Sequence, residues 1–119
     1  MPASDPLPAA TTPHLRAPDD ARLAEAAAVF ALLADPTRLH LLWLLSRDES
    51  DVGSLAEQCS ASRTAVSQHL AKLRLAGLVE TRREGRHVFY RLGDGHLRRL
   101  VTEALSHADH RVTGEAPHD

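Results

Sequence analysis

Arg63-Thr64-Ala65-Val66-Ser67-Gln68-His69-Leu70-Ala71-Lys72-Leu73-Arg74-Leu75-Ala76-Gly77 is the stretch on which the fold turns. Val66, Leu70 and Leu73 fall on one helical stripe, leaving Arg63, Thr64, Ser67, Gln68 and Lys72 on the other faces. Gly77 offers a closing glycine just past the helix. Upstream, a short helical pattern near Gly53–Gln58 leads into a turn around Cys59–Ser62. Two short helices joined by a tight turn make a helix-turn-helix. Small polar side chains near the start of the second helix suit entry into a DNA major groove. Ser and Thr bond to several base edges, Gln suits adenine, and Arg or Lys suits guanine or phosphate. An ordinary amphipathic surface helix would show the same stripe, and the sequence that follows decides between the two.

There the period changes from helical to alternating. Leu78–Arg83 and Arg86–Leu92 read as two strands around Glu84-Gly85, a basic hairpin or wing whose Arg83 and Arg86 can lie along a phosphate backbone. Working back toward the start, Asp19 and Asp20 can cap a helix to about Ala34, with Leu23, Ala26, Ala27, Phe30 and Leu33 at helical spacing. Asp35-Pro36 restarts a second helix, which is expected to turn Leu39, Leu42, Trp43 and Leu45 inward. A last helix starts near Asp94 and runs to about His110. The fold class is mainly α with a small β-hairpin, a dimeric winged helix-turn-helix. Residues 1–18, with five of the seven prolines, read as a disordered arm; 19–110 form the domain, and 111–119 a flexible tail.

The formal net charge of -2 is unevenly spread. Residues 62–91 carry a balance of +5, against -5 before them and -2 after, so a basic face stands between acidic flanks. With only four aromatic residues, the core must be aliphatic. The lone Cys59 excludes an intramolecular disulfide and any multi-cysteine metal site. No apolar run is long enough to span a bilayer and no signal segment opens the chain, so a cytoplasmic protein without membrane contact is expected.

Metal-ligand chemistry gathers on the last helix. His107 and His110, three residues apart, share one helical face, and Asp94 and His96 sit at the opposite end. The two ends are roughly 16 Å apart at 1.5 Å per residue, too far to share one ion. An antiparallel copy of the helix would set the Asp94/His96 end of one chain beside the His107/His110 end of the other. That arrangement yields two identical sites per dimer, each with one carboxylate and three imidazoles, as two-fold symmetry requires. Leu97, Leu100, Val101, Ala104, Leu105 and Ala108 form an apolar arc beside the histidine stripe. Such a donor set in a tetrahedron suits zinc. Nickel or cobalt would draw further ligands toward an octahedron, which Asp109, His118 or His14 could supply.

The sequence resembles the ArsR/SmtB family of metal-sensing repressors. The resemblance is carried by Leu33-Ala34-Asp35-Pro36-Thr37-Arg38, Ala65-Val66-Ser67-Gln68-His69-Leu70, Leu75-Ala76-Gly77-Leu78-Val79, and the wing with Gly85-Arg86 and Phe89-Tyr90-Arg91-Leu92. It covers about residues 20–110 and implies a homodimer joined through its first and last helices, with Arg63, Thr64, Ser67 and Gln68 approaching bases. Asp-x-His followed by His-x-x-His resembles the family's last-helix sensing site. Its cysteine site has no counterpart, because Glu49 to Leu55 contain no Cys. The expected function is a repressor that leaves operator DNA when Ni2+, Zn2+ or Co2+ binds. Control by a partner protein is the first alternative. The second, a small metal-binding enzyme domain, lacks any local catalytic motif.

Overall fold

The computed structural model describes residues 16–114. Seven elements follow in order: α1 (Asp20–Leu33), α2 (Pro36–Arg47), α3 (Val52–Cys59), α4 (Arg63–Leu75), β1 (Val79–Glu84), β2 (His87–Leu92) and α5 (Gly95–Thr113). They form five helices and one two-stranded antiparallel hairpin, the winged helix-turn-helix expected. Two compact units divide at Ala31/Leu32, so that the helix-turn-helix, the wing and α5 belong to the second. No single helix among the described residues is long and apolar enough to cross a membrane.

Side-chain capping sets most of the helix starts. Asp35 accepts the Arg38 N–H at 2.9 Å and Asp51 the Ser54 N–H at 2.7 Å, while Ser62 accepts from Ala65 at 3.0 Å and Asp94 from Leu97 at 2.9 Å. Each satisfies an amide that has no partner within its helix. Pro36 follows its cap at a position where the missing N–H costs nothing. Gly77 takes φ 81 just past α4.

The core of the second unit is wholly aliphatic. Leu41, Leu42 and Leu45 of α2 are buried together with Leu55 and Ala56 of α3, Val66, Leu70 and Leu73 of α4, Val79 and Leu92 at the wing root, and Leu97 and Val101 of α5. Leu39 and Trp43 depart from the inward placement expected: both are only half-buried, and Leu41 takes the interior position. With Pro36, His40 and Leu105 they line an open cavity of about 380 Å³. Arg47 covers the Trp43 ring from 5.3 Å. Within the first helix, Leu23 and Phe30, seven residues apart on one face, are 54% and 57% exposed.

Two boundaries also differ from the sequence reading. The hairpin turn falls on Gly85-Arg86, because Glu84 pairs with His87, and Gly85 at φ 62 supplies the positive φ. Past His110, α5 continues to Thr113 and closes on Gly114 at φ 77. Residues 111–113, expected in the tail, are therefore helical. The arm over residues 1–15, including His14, and the tail over 115–119, including His118, lie outside the described residues.

Candidate nucleic-acid interface and metal positions

The turn between α3 and α4 is tight because Ser60 adopts left-handed backbone (φ 53, ψ 44) and caps α3, two residues before Ser62 caps α4. Val66, Leu70 and Leu73 are completely buried, which fixes the outward face of α4. Arg63, Thr64, Ser67, Gln68 and Lys72 are all exposed on it. The sequence 63, 64, 67, 68, 72 follows helical neighbours, so these side chains form one continuous surface starting at the helix N-terminus. Free amides there favour a phosphate.

Arg63 lies back across the start of α3. A Cβ built on Gly53 would come within 2.7 Å of its Nη2, so the absent side chain of Gly53 gives the guanidinium its room. Asp51 sits nearby with its carboxyl below the usual range, chiefly through hydrogen bonds from Ser54, with Arg63 and His87 adding smaller electrostatic effects.

On the wing, Arg83 and Arg86 are exposed at and beside the tip. Arg82 turns inward instead. It donates from Nε and Nη2 to both carboxylate oxygens of Glu49 at 2.8 and 2.7 Å, with its guanidinium 4.7 Å from the Phe89 ring. Ser50 and Tyr90 exchange two backbone hydrogen bonds at 3.0 and 2.8 Å alongside. The loop between α2 and α3 thereby becomes a third, one-residue edge to the wing. Arg91 pairs across the hairpin with Glu80 at 3.2 Å. Of the seven basic residues in this block, Arg82 and Arg91 are engaged with carboxylates, while Arg63, Lys72, Arg74, Arg83 and Arg86 are exposed. The Glu49 clamp is invisible in sequence because its partners stand 33 residues apart.

Arg82 holds the Glu49 carboxyl below its usual range, mainly through the side-chain hydrogen bond. A carboxylate with a depressed folded-state pKa stabilises the fold above its unfolded value and loses that contribution as pH falls through the folded one. Glu49→Gln is therefore expected to melt below the wild type at pH 7. The gap should close as pH drops beneath about 4.3, the ordinary glutamate value. Thermal unfolding across pH 3 to 7 measures it, and a gap that persists at the acid end would mean the clamp is not ionic.

Apart from His14 and His118, the expected metal ligands project from α5 or its cap. Asp94 Oδ1 accepts the Leu97 amide as N-cap, His96 and His107 are exposed, and His110 is half-buried. His96 Nδ1 stands 2.7 Å from Arg99 Nη2, so a metal ion at that ring would have to displace the guanidinium or use the other nitrogen. Asp109 is exposed in the same last turns. Within one chain, no three His, Cys, Asp or Glu side chains among the described residues gather closely enough to hold a metal. Asp94 and His96 stand at one end of α5 and His107 and His110 at the other. One carboxylate with three imidazoles is the kind of donor set that divalent zinc or nickel accepts.

Comparison with known proteins gives the same architecture a regulatory context. The family model described as "Bacterial regulatory protein, arsR family" matches residues 35–81, from the cap of α2 through β1. The HTH-type transcriptional regulator KmtR of Mycobacterium tuberculosis is 50% identical over 90 residues, which cover 76% of this chain and 69% of that protein. NmtR of the same organism, also an HTH-type transcriptional regulator, is 38% identical over 96 residues, covering 81% and 80%. Among solved structures, a homodimeric winged helix-turn-helix DNA-binding domain from Mycobacterium bovis superposes with a TM-score of 0.73 at 32% identity, covering 86% of this chain and 97% of that one. The antimony-specific transcriptional repressor AntR also gives 0.73, at 28% identity with 86% and 96% covered.

Proposed function

Because the chain belongs to the arsR family of bacterial regulatory proteins and is a DNA-binding transcriptional regulator, we propose that it is a homodimeric repressor released from its operator by a divalent transition metal. One observation carries the metal reading. α5 is a single uninterrupted helix with Asp94 and His96 at one end and His107 and His110 at the other. Only a second, antiparallel copy brings the two ends together. The exposed apolar stripe of α1, with Leu23 and Phe30, supports a dimer seam there. AntR, a repressor of the same fold, is specific for antimony, an example of this architecture answering to an inorganic ion.

In this reading Arg63, Thr64, Ser67 and Gln68 meet base edges, while Lys72, Arg83 and Arg86 meet phosphates. Asp94 and His96 of one chain with His107 and His110 of the other hold the ion, which supplies a cross-link between the two last helices. Release follows if the cross-linked dimer spaces its two α4 helices poorly for successive half-sites. That requires tighter metal binding by the free dimer than by the DNA-bound one. Zn2+ and Ni2+ both suit the four donors, and Asp109, His14 or His118 would complete a nickel or cobalt set.

Fluorescence anisotropy on the duplex upstream of the protein's own coding sequence, titrated with nickel and then zinc at fixed salt, tests this. The expected result is tight binding without metal and release by one of the two ions. Tight binding unmoved by either ion would remove the metal reading and leave the regulator.

A further inference from the structure

Val66, Leu70 and Leu73 anchor α4 through aliphatic contact, which is non-directional. Burial of all three fixes which face of the helix turns inward, and within that limit a polar contact can refine its angle. Position 69 is different. His69 stands between the reading residue Gln68 and the anchor Leu70, and its half-buried imidazole reaches the start of α2. Nδ1 is 3.5 Å from Arg38 Nη1, and Nε2 is 3.9 Å from Asp35 Oδ2. Both are long, so a small turn of α4 would tighten or break them.

The two α2 groups are themselves fixed. Asp35 Oδ2 accepts the Arg38 amide at 2.9 Å, and this bond, more than any other cause, holds the Asp35 carboxyl below its usual range. Arg38 Nε donates at 2.7 Å to the Leu32 carbonyl, one of those at the end of α1 that its own helix leaves without a partner. Polar contacts thus run from the last turn of α1, through the cap of α2, to the middle of the reading helix, the final links to His69 being the long ones.

We propose that Asp35, Arg38 and His69 form a positioning joint that refines the rotation of α4 about its axis, and with it the angle at which Ser67 and Gln68 meet the bases. His69 acts through the helix that carries it and Arg38 through His69, neither by touching DNA. The inference rests on the base-reading role proposed for α4. It predicts a specific signature: sequence discrimination depends on the joint, whereas general attraction to phosphate does not.

The test uses the full-length protein, a duplex selected from a random pool by the wild type, and a scrambled duplex of equal length at the same salt. His69→Phe keeps the ring volume and removes both polar contacts, and Arg38→Met removes the guanidinium from the far side of the joint. Each is expected to lose about tenfold on the selected duplex, comparable to one mismatched base pair, and little on the scrambled one. His69→Gln, which retains a donor and an acceptor, should recover most of the loss. Melting temperatures confirm that each variant is folded. Equal losses on both duplexes, unchanged affinity in His69→Phe and Arg38→Met, or failure of His69→Gln to recover would overturn the joint. If the wild type selects no sequence at all, the base-reading role of α4 falls first, a result distinct from the others.

Discussion

A dimer carrying His96→Ala and His107→Ala is expected to bind operator DNA as the wild type does and to stay bound when metal is added. Both side chains are exposed on α5, so their loss should change stability by no more than about 0.5 kcal/mol. The lost response is the coupling between sites, typically about 1–3 kcal/mol or roughly 5- to 150-fold in DNA affinity. The single variants add a sharper arm. In either homodimer both sites lack one imidazole. In the mixed dimer one site lacks two, and the other is complete, because its Asp94 and His96 come from the chain that kept them and its His107 from the other. Subunit exchange between two unresponsive variants should therefore restore metal release in about half of the dimers, as two-fold symmetry dictates. Absence of recovery after verified exchange would refute a site shared across the seam.

The positions of the proposed ligands along α5 are legible in the sequence, whereas their pairing across two copies rests there on symmetry alone. The spacing 94, 96, 107, 110 specifies positions along one helix, and capping by Asp94 and the continuous run to Thr113 realise it. The assembly depends on a second copy, which no intrachain periodicity describes. The same contrast recurs in the DNA-facing half. In α4 polar residues surround a single apolar stripe, so the pattern picks out Val66, Leu70 and Leu73 without ambiguity. In α2, Leu39, Leu41, Leu42, Trp43, Leu44 and Leu45 clothe nearly every face, and periodicity cannot select one. Leu41 rather than Leu39 is buried because α3, α4 and α5 pack on the side that it shares with Leu42 and Leu45.

The distribution of charge along the sequence has a related limit. The +5 block marks the basic region correctly, yet cannot say that Arg82 is clamped by Glu49 while Arg83, its neighbour, faces outward. Alternation along β1 sets Arg83 on the face of buried Val79 and Arg82 on that of exposed Glu80, so it points the wrong way for this pair. The His69 contact was hidden for another reason. Asp35 and Arg38 read as a helix cap and its first turn, a complete local explanation that gives no hint of a third partner 31 residues away.

The division of labour proposed for α4 and the wing predicts opposite signatures for two exposed residues, Gln68 and Arg86. Gln68→Ala removes a side chain placed to read a base edge and should cost about 1–3 kcal/mol on the selected duplex. On scrambled DNA it should cost almost nothing, and the dependence of affinity on salt should keep its slope, since no phosphate contact is lost. Arg86→Ala removes a cation at the wing tip, beside Gly85 in the hairpin turn. It should weaken binding to every duplex alike and reduce the salt slope by about 0.9 per chain, one released counterion for each phosphate no longer neutralised. Arg82→Ala is the internal control: its guanidinium lies on Glu49, so the slope should hold while the wing loosens and the melting temperature falls. Anisotropy titrations at several salt concentrations on both duplexes separate the three. If Gln68→Ala flattened the slope, or Arg86→Ala erased discrimination between duplexes, the assignment of reading to α4 and of phosphate contact to the wing would have to be exchanged.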